Sequence, residues 1–155
     1  MAKSERPPRS DVARRVTPGR VIARRPRALG RVLVVEDDGD ASEILALFLR
    51  DRGYDPMRVS SVAGALGALH ENWYAILADI GLGDGSGLQI AREARRLPKP
   101  PARLIAVSGY GSPRDLQASL EAGFDTHLVK PMDFNRLLAA LSPASPDRRG
   151  HRQAG

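Results

Sequence analysis

The stretch RVLVVEDDGD, residues 31–40, places four carboxylates directly behind a run of apolar residues. A short, valine-rich apolar run is typical of a parallel strand that is buried on both faces of a sheet. Carboxylates this close together repel one another, and each is more stable when it is solvated or neutralised by a cation. The stretch therefore predicts a central strand whose end holds a positive partner.

The rest of the chain repeats this unit, because short apolar runs alternate with segments in which apolar residues recur at helical spacing. The further runs are DPMRVS (55–60), YAILA (74–78), RLIAVS (103–108) and THLVK (126–130). The run at 55–60 contains charged residues and a proline, which predicts a strand at the edge of the sheet. Strands that alternate with helices predict an α/β fold of (βα)5 type with a mainly parallel sheet.

Helix-terminating and helix-initiating residues agree with this pattern. Gly53 follows the first helical segment, where a glycine commonly ends a helix. Ser112-Pro113 followed by Asp115 predicts a capped helix start. Asp133 is placed to cap the last helix.

Composition excludes several classes of protein. The 155 residues contain no cysteine, which excludes disulfides, thiol catalysis and cysteine-ligated zinc. The three histidines share no metal-ligand spacing, and no apolar run approaches the roughly 18 residues that a membrane helix needs. No signal-peptide core follows the basic N-terminus, so we predict a cytoplasmic location.

The net charge of +6 is distributed unevenly along the chain. Residues 1–30 carry nine Lys and Arg against two acids, whereas residues 31–142 carry twelve against fifteen. We predict a disordered basic tail over 1–30, one folded domain over 31–142 and a disordered tail over 143–155. The N-terminal tail is either a solubilising extension, which a start codon assigned too early would also produce, or a segment that contacts nucleic acid or an acidic membrane surface.

The residues at the strand ends predict a site, because in an open parallel sheet the carboxyl ends of the strands meet at one edge. These ends carry Glu36-Asp37-Asp38, Asp79, Ser108-Gly109 and Lys130-Pro131. Taken singly, each residue is more often structural, as a helix cap, a turn former or a solvent-facing lysine. Together, the carboxylates of the first and third strands form an oxygen-ligand site that suits Mg²⁺, with Lys130 close by.

Five motifs in these positions resemble the receiver domain of two-component response regulators. They are VLVVEDD, AILADIGLGDGSG, IAVSGYG, EAGFDTHLVKP and MDFNRLLAAL, and they span about residues 31–142. The resemblance implies a flavodoxin-like three-layer sandwich with a parallel five-stranded sheet of order 2-1-3-4-5. Because only a short segment follows the last helix, it also suggests a single-domain response regulator.

The resemblance also implies a role for each matching residue. Asp79 would be the phosphoacceptor, taking a phosphoryl group from a histidine kinase or a histidine phosphotransfer protein. The other implied roles are Mg²⁺ binding by Glu36, Asp37, Asp79 and the carbonyl of Gly81, phosphoryl stabilisation by Ser108 and Lys130, conformational switching by Ser108 and His127, and a cis bond before Pro131. The expected output is a change in the surface of the fourth helix, fifth strand and fifth helix, for partner binding or onward relay, in a monomer or a phosphorylation-dependent dimer.

The match departs from the family at the switch, where His127 stands in place of the usual aromatic residue. His127 is either a polar switch residue or a solvent-facing residue that the position tolerates.

Other functions also stay open: an unphosphorylated receiver-like scaffold, a nucleic-acid binder acting through the basic tail, or a Mg²⁺-dependent phosphohydrolase with an aspartyl nucleophile. Such hydrolases usually keep a second Asp two residues after the first, and Gly81 occupies that position. We therefore favour a signalling phosphoacceptor over an enzyme.

Overall fold

The computed structural model describes residues 27–143, which form a single five-stranded parallel sheet flanked by helices and one short hairpin. The strands are β1 (Arg31–Val35), β2 (Asp55–Val59), β3 (Ala75–Asp79), β4 (Arg103–Ser108) and β5 (Thr126–Val129). They pair in the order β2-β1-β3-β4-β5, with β2 at one edge, so the predicted topology is confirmed. Most of both predicted tails, residues 1–26 and 144–155, lies outside the described residues.

Helices cover both faces of the sheet and give the predicted three layers. They are α1 (Gly39–Asp51), α2 (Val62–Ala68), α3 (Gly87–Arg96), α4 (Pro113–Ala122) and α5 (Phe134–Leu141). Alternate residues of each strand point to opposite faces. Val32 and Val34 therefore pack with α1 and α5, while Leu33 and Val35 pack with α2, α3 and α4. This burial on both faces explains why the central strands are almost entirely apolar.

Local capping fixes where the helices begin. Ser112 and Asp115 form a reciprocal capping box at α4, with Pro113 at the first helical position. Asp133 accepts hydrogen bonds from two backbone amides at the start of α5. Asp38 caps α1 by accepting from the amide of Ala41 at 2.8 Å, so its carboxylate has a structural partner. Because each of these helices follows the carboxyl end of a parallel strand, its start lies at the edge of the sheet that carries the candidate site.

Two local features lie beside that edge. Gly81–Leu82 pairs antiparallel with Gly85–Ser86, which makes a short hairpin between β3 and α3. The peptide bond between Lys130 and Pro131 is cis. Within residues 27–143, no helix is both long enough and apolar enough to cross a lipid bilayer.

Candidate functional site

Acidic side chains from two neighbouring strands converge at the carboxyl edge of the sheet. Val35 of β1 pairs with Ala78 of β3, so the residues that follow them, Glu36 and Asp79, lie side by side. One carboxylate oxygen from each of Glu36, Asp37 and Asp79 lies within 4.8 Å of the other two. Glu36 and Asp79 are buried, whereas Asp37 is exposed at the mouth of the cluster.

The positively charged group in this cluster is the ammonium of Lys130, at the end of the edge strand β5. Lys130 follows β5, which is separated from β3 by β4, and its long side chain spans that distance. Its ammonium donates hydrogen bonds to Asp79 Oδ2 at 2.7 Å and to Glu36 Oε2 at 3.0 Å. Lys130 therefore neutralises part of the charge that the sequence concentrates at the ends of β1 and β3.

Backbone amides occupy the second oxygen of each buried carboxylate. Glu36 Oε1 accepts from the amide of Asp38 at 3.1 Å, and Asp79 Oδ1 accepts from the amide of Gly81 at 2.9 Å. Burial, assisted by the charge of Asp79, nevertheless raises the pKa of Glu36 above its ordinary value. Burial alone would lower the pKa of Lys130, but its bonds to Asp79 and Glu36 outweigh that effect and raise it. The ammonium is therefore held in its charged form.

Ser108, at the end of β4, lines the same cavity as Asp79 and Lys130. The cavity has a volume of about 400 Å³, and its lining includes Asp79, Gly81, Ser108 and Lys130. The Ser108 hydroxyl donates to the carbonyl of Tyr110 at 2.8 Å and accepts from the amide of Tyr110 at 2.9 Å. Ser108 thus lies beside Asp79 with its hydroxyl proton directed at the β4–α4 loop.

His127 lies on β5, half-buried and bonded on both ring nitrogens. Nδ1 is 2.9 Å from the hydroxyl of Ser119 on α4, and Nε2 is 3.1 Å from the carbonyl of Tyr110. Because a carbonyl only accepts, Nε2 must carry the proton in that bond. The Tyr110 carbonyl therefore accepts from both Ser108 and His127, and His127 is not the solvent-facing residue that one interpretation of the sequence predicted.

The donor set fits a magnesium ion. Carboxylate and carbonyl oxygens are hard ligands of the kind Mg²⁺ prefers. Glycines keep the surroundings open, since a Cβ at Gly81 would lie 3.8 Å from Asp79 Oδ1 and one at Gly83 would lie 3.9 Å from Asp37 Oδ2. The acidic group of Glu36, Asp37 and Asp79 could hold a metal ion.

Comparison with known proteins identifies the family. The family model described as "Response regulator receiver domain" matches residues 32–142, nearly all of the described chain. The protein belongs to the response regulator receiver domain family. Receiver domains are the phosphoacceptor modules of two-component signalling and are not generally classed as enzymes.

Individual members of the family are similar over the same region. The photosynthetic apparatus regulatory protein RegA of Rhodovulum sulfidophilum is 33% identical over 112 residues, which cover 71% of this chain and 60% of RegA. A solved CheY-like receiver domain from Methylobacillus flagellatus is 32% identical, with a TM-score of 0.64, and the match covers 74% of this chain and 100% of that one. A solved response regulator from Burkholderia pseudomallei, with a phosphorylated aspartic acid and a calcium ion, is 28% identical with a TM-score of 0.65 over 72% of this chain and 66% of that one.

The structure gathers the residues that the sequence singled out. Asp79, Gly81, Ser108 and Lys130 line one cavity, and Glu36 and Asp37 join Asp79 in the acidic cluster beside it. Pro131 follows Lys130, and His127 is linked to Ser108 through the Tyr110 carbonyl. Sequence reasoning missed Ser119 and Asp84, which bond to His127 and to the start of α2, respectively. The only sequence signal for Asp84 is the Asp-Gly pair of a turn, and that signal does not identify the partner.

Proposed function

We propose that Asp79 accepts a phosphoryl group from a phosphohistidine of a histidine kinase or a histidine phosphotransfer protein. The observation that carries this proposal is the pairing of the Asp79 carboxylate with the Lys130 ammonium at the floor of a cavity that Ser108 also lines. The related Burkholderia pseudomallei protein, which carries a phosphorylated aspartic acid, supports the same chemistry here.

In the proposed reaction a carboxylate oxygen of Asp79 attacks the phosphorus of the phosphohistidine. A new P–O bond forms, the P–N bond breaks, and the electron pair leaves with the donor imidazole. The product is an acyl phosphate. Mg²⁺ held by Glu36, Asp37, Asp79 and the carbonyl of Gly81 would neutralise charge on the phosphoryl oxygens.

Lys130 and Ser108 would stabilise the transferred group. The Lys130 ammonium already contacts Asp79 Oδ2, so it needs only a small shift to reach a phosphoryl oxygen. Ser108 would exchange the Tyr110 carbonyl for a phosphoryl oxygen as its acceptor. Both groups would then bind the phosphorylated form more strongly than the free form, which is what a change in conformational population requires.

His127 would couple this exchange to the surface of α4, β5 and α5. When Ser108 turns away, the Tyr110 carbonyl keeps His127 as its donor, and His127 also contacts Ser119 of α4. The α4–β5–α5 surface would then shift between two conformations and bind a partner or pass the phosphoryl group onward. A polar network replaces the aromatic ring that the family usually uses, so a His127→Ala variant, which has neither, should still become phosphorylated but show smaller shifts of the α4 amide resonances on phosphorylation.

The test is incubation with acetyl phosphate and Mg²⁺, followed by mass spectrometry of the intact protein. Wild type should gain one phosphoryl group, and Asp79→Asn should gain none. Asp38→Asn is the matched control, because Asp38 lies in the same acidic run but caps α1. A mass gain in Asp79→Asn, or none in wild type, would contradict the proposal.

Two further measurements separate the alternatives. Wild type that binds neither Mg²⁺ nor beryllofluoride would favour an unphosphorylated scaffold. Steady turnover of p-nitrophenyl phosphate, lost in Asp79→Asn, would favour a phosphohydrolase. The cytoplasmic location, the role of the basic tail over residues 1–30, the domain boundaries and the oligomeric state remain predictions.

A further inference from the structure

The loop after Asp79 is fastened to a different helix by the carboxylate of Asp84. Asp84 lies at the tip of the short hairpin, and its two oxygens accept hydrogen bonds from the amides of Val62 at 2.8 Å and Ala63 at 3.0 Å. These are the first two residues of α2, whose amides have no partner within the helix. The bonds stabilise the ionised carboxylate and lower the pKa of Asp84 below its ordinary value.

A local cap accompanies this long-range one. Ser61, the residue before α2, accepts from the amide of Gly64 at 2.9 Å through its own hydroxyl. The start of α2 is thus capped by one residue from its own loop and one from the hairpin. Of these two capping side chains, only Asp84 belongs to the segment that follows Asp79, so Ser61 provides a control for the loss of capping alone.

The hairpin that Asp84 bonds to α2 also lies beside the acidic cluster. Gly81, in its first strand, donates its amide to Asp79 Oδ1 at 2.9 Å and is held opposite Ser86. Gly83 faces Asp37, since a Cβ there would lie 3.9 Å from Asp37 Oδ2. Leu82, between them, is buried in the core against the α2 side of the sheet. A movement of the hairpin would therefore displace groups beside two of the acids.

We propose that Asp84 is a positioning residue for the phosphoacceptor site. By fastening the hairpin to α2, it holds Gly81 where the amide reaches Asp79 and the carbonyl completes the oxygen ligands of the metal. This inference rests on the proposed function, because it assigns Asp84 a role in the same Mg²⁺-dependent phosphorylation. Asp84 acts through Gly81 and touches neither the phosphoryl group nor the metal.

The test compares Asp84→Ala and Ser61→Ala with wild type. Each removes capping at the start of α2, but only Asp84→Ala removes hydrogen bonds between α2 and the hairpin. Loss of a partner that orients a metal ligand commonly lowers metal affinity by roughly 10–100-fold, and we expect about the lower value here because Asp84 acts through the backbone. Asp84→Ala should raise the Mg²⁺ dissociation constant, measured by calorimetry, roughly tenfold, whereas Ser61→Ala should leave it unchanged.

Phosphorylation provides a second readout. Because the defect lies in metal binding, the Mg²⁺ concentration for half-maximal labelling by acetyl phosphate should rise in Asp84→Ala, with the maximal rate recovered at high Mg²⁺. If Asp84→Ala does not fold, Asp84→Asn serves instead, since it retains one acceptor and should show a smaller shift. The ¹⁵N–¹H resonance of Gly81 should move in either Asp84 variant and stay in place in Ser61→Ala.

Each outcome has a distinct meaning. Wild-type affinity for Mg²⁺ in both Asp84 variants, or an equal loss in Ser61→Ala, would overturn the positioning role and leave the proposed function intact. Wild type that takes up no phosphoryl group would overturn the proposed function, and the positioning role with it.

Discussion

Replacement of Lys130 by methionine removes the ammonium that lies between Glu36 and Asp79. Methionine keeps most of the length and apolar character of the side chain, so the variant differs from wild type mainly in lacking the positive charge. The variant leaves two buried carboxylates side by side without their shared cation. We expect it to be less stable than wild type in metal-free buffer.

The size of the loss follows from the two contacts. Each hydrogen bond between charged groups contributes about 1.5–3 kcal/mol to the free energy of unfolding when it is shielded from water. The Lys130 side chain is 38% exposed, so solvent screens both bonds and the lower end applies. Two bonds then contribute about 3 kcal/mol, of which water entering the site recovers part, leaving a net loss of about 1–2 kcal/mol in the free energy of unfolding.

The assay is urea unfolding of wild type and Lys130→Met, with and without Mg²⁺. Lys99→Met is the matched control, because Lys99 lies exposed in the loop before β4 and should tolerate the same change. Mg²⁺ should reduce the difference in the free energy of unfolding between Lys130→Met and wild type, since a divalent ion neutralises the same carboxylates. A Lys130→Met variant as stable as Lys99→Met in metal-free buffer would refute the reasoning.

Three further predictions concern the hairpin and its surroundings. A Cβ at Gly87 would lie 2.2 Å from the backbone oxygen of Asp79, so Gly87→Ala should lower the free energy of unfolding by about 1–3 kcal/mol in urea titrations and weaken Mg²⁺ binding. Gly67→Ala, in α2, adds a Cβ that meets no atom within 4 Å apart from its chain neighbours and its own helix backbone, so it should instead raise the free energy of unfolding by about 0.5–1 kcal/mol, and a loss there would contradict the contact argument. Because the folded protein lowers the pKa of Asp84 below its ordinary 3.8, the stabilisation it provides is present above that pH and is lost as the pH falls through the lowered value. The stability advantage of wild type over Asp84→Asn in thermal melts should therefore shrink below about pH 3.8 and be constant near neutrality.

Repetitive local patterns made the fold predictable. The apolar runs predicted the strands, and the charged, proline-containing run predicted the edge position of β2, because a strand with one free edge tolerates what a central strand excludes. Ser112, Pro113 and Asp133 predicted helix starts because caps act over only three or four residues. The strand order itself came from the resemblance to receiver domains.

The acidic cluster was also predictable, because it depends only on which residues end the parallel strands. Once β1 and β3 are neighbours, Glu36 and Asp79 must lie together, whatever path the loops take. The hydrogen bonds around the cluster, in contrast, depend on how the loops and helices are placed. Asp84 reaches the amide of Val62 across 22 positions in the chain, and Ser108 and His127 share the carbonyl of Tyr110.

The sequence by itself therefore determined the strands, the helix starts and the carboxylates at the sheet edge, since these follow from local periodicity and from the geometry of parallel strands. Only the tertiary structure decided that Lys130 reaches both Glu36 and Asp79, and that Asp84 fastens the phosphoacceptor loop to α2. Such contacts join a side chain to atoms on a separate element. Their formation depends on how closely those elements pack, which no local pattern in the chain specifies.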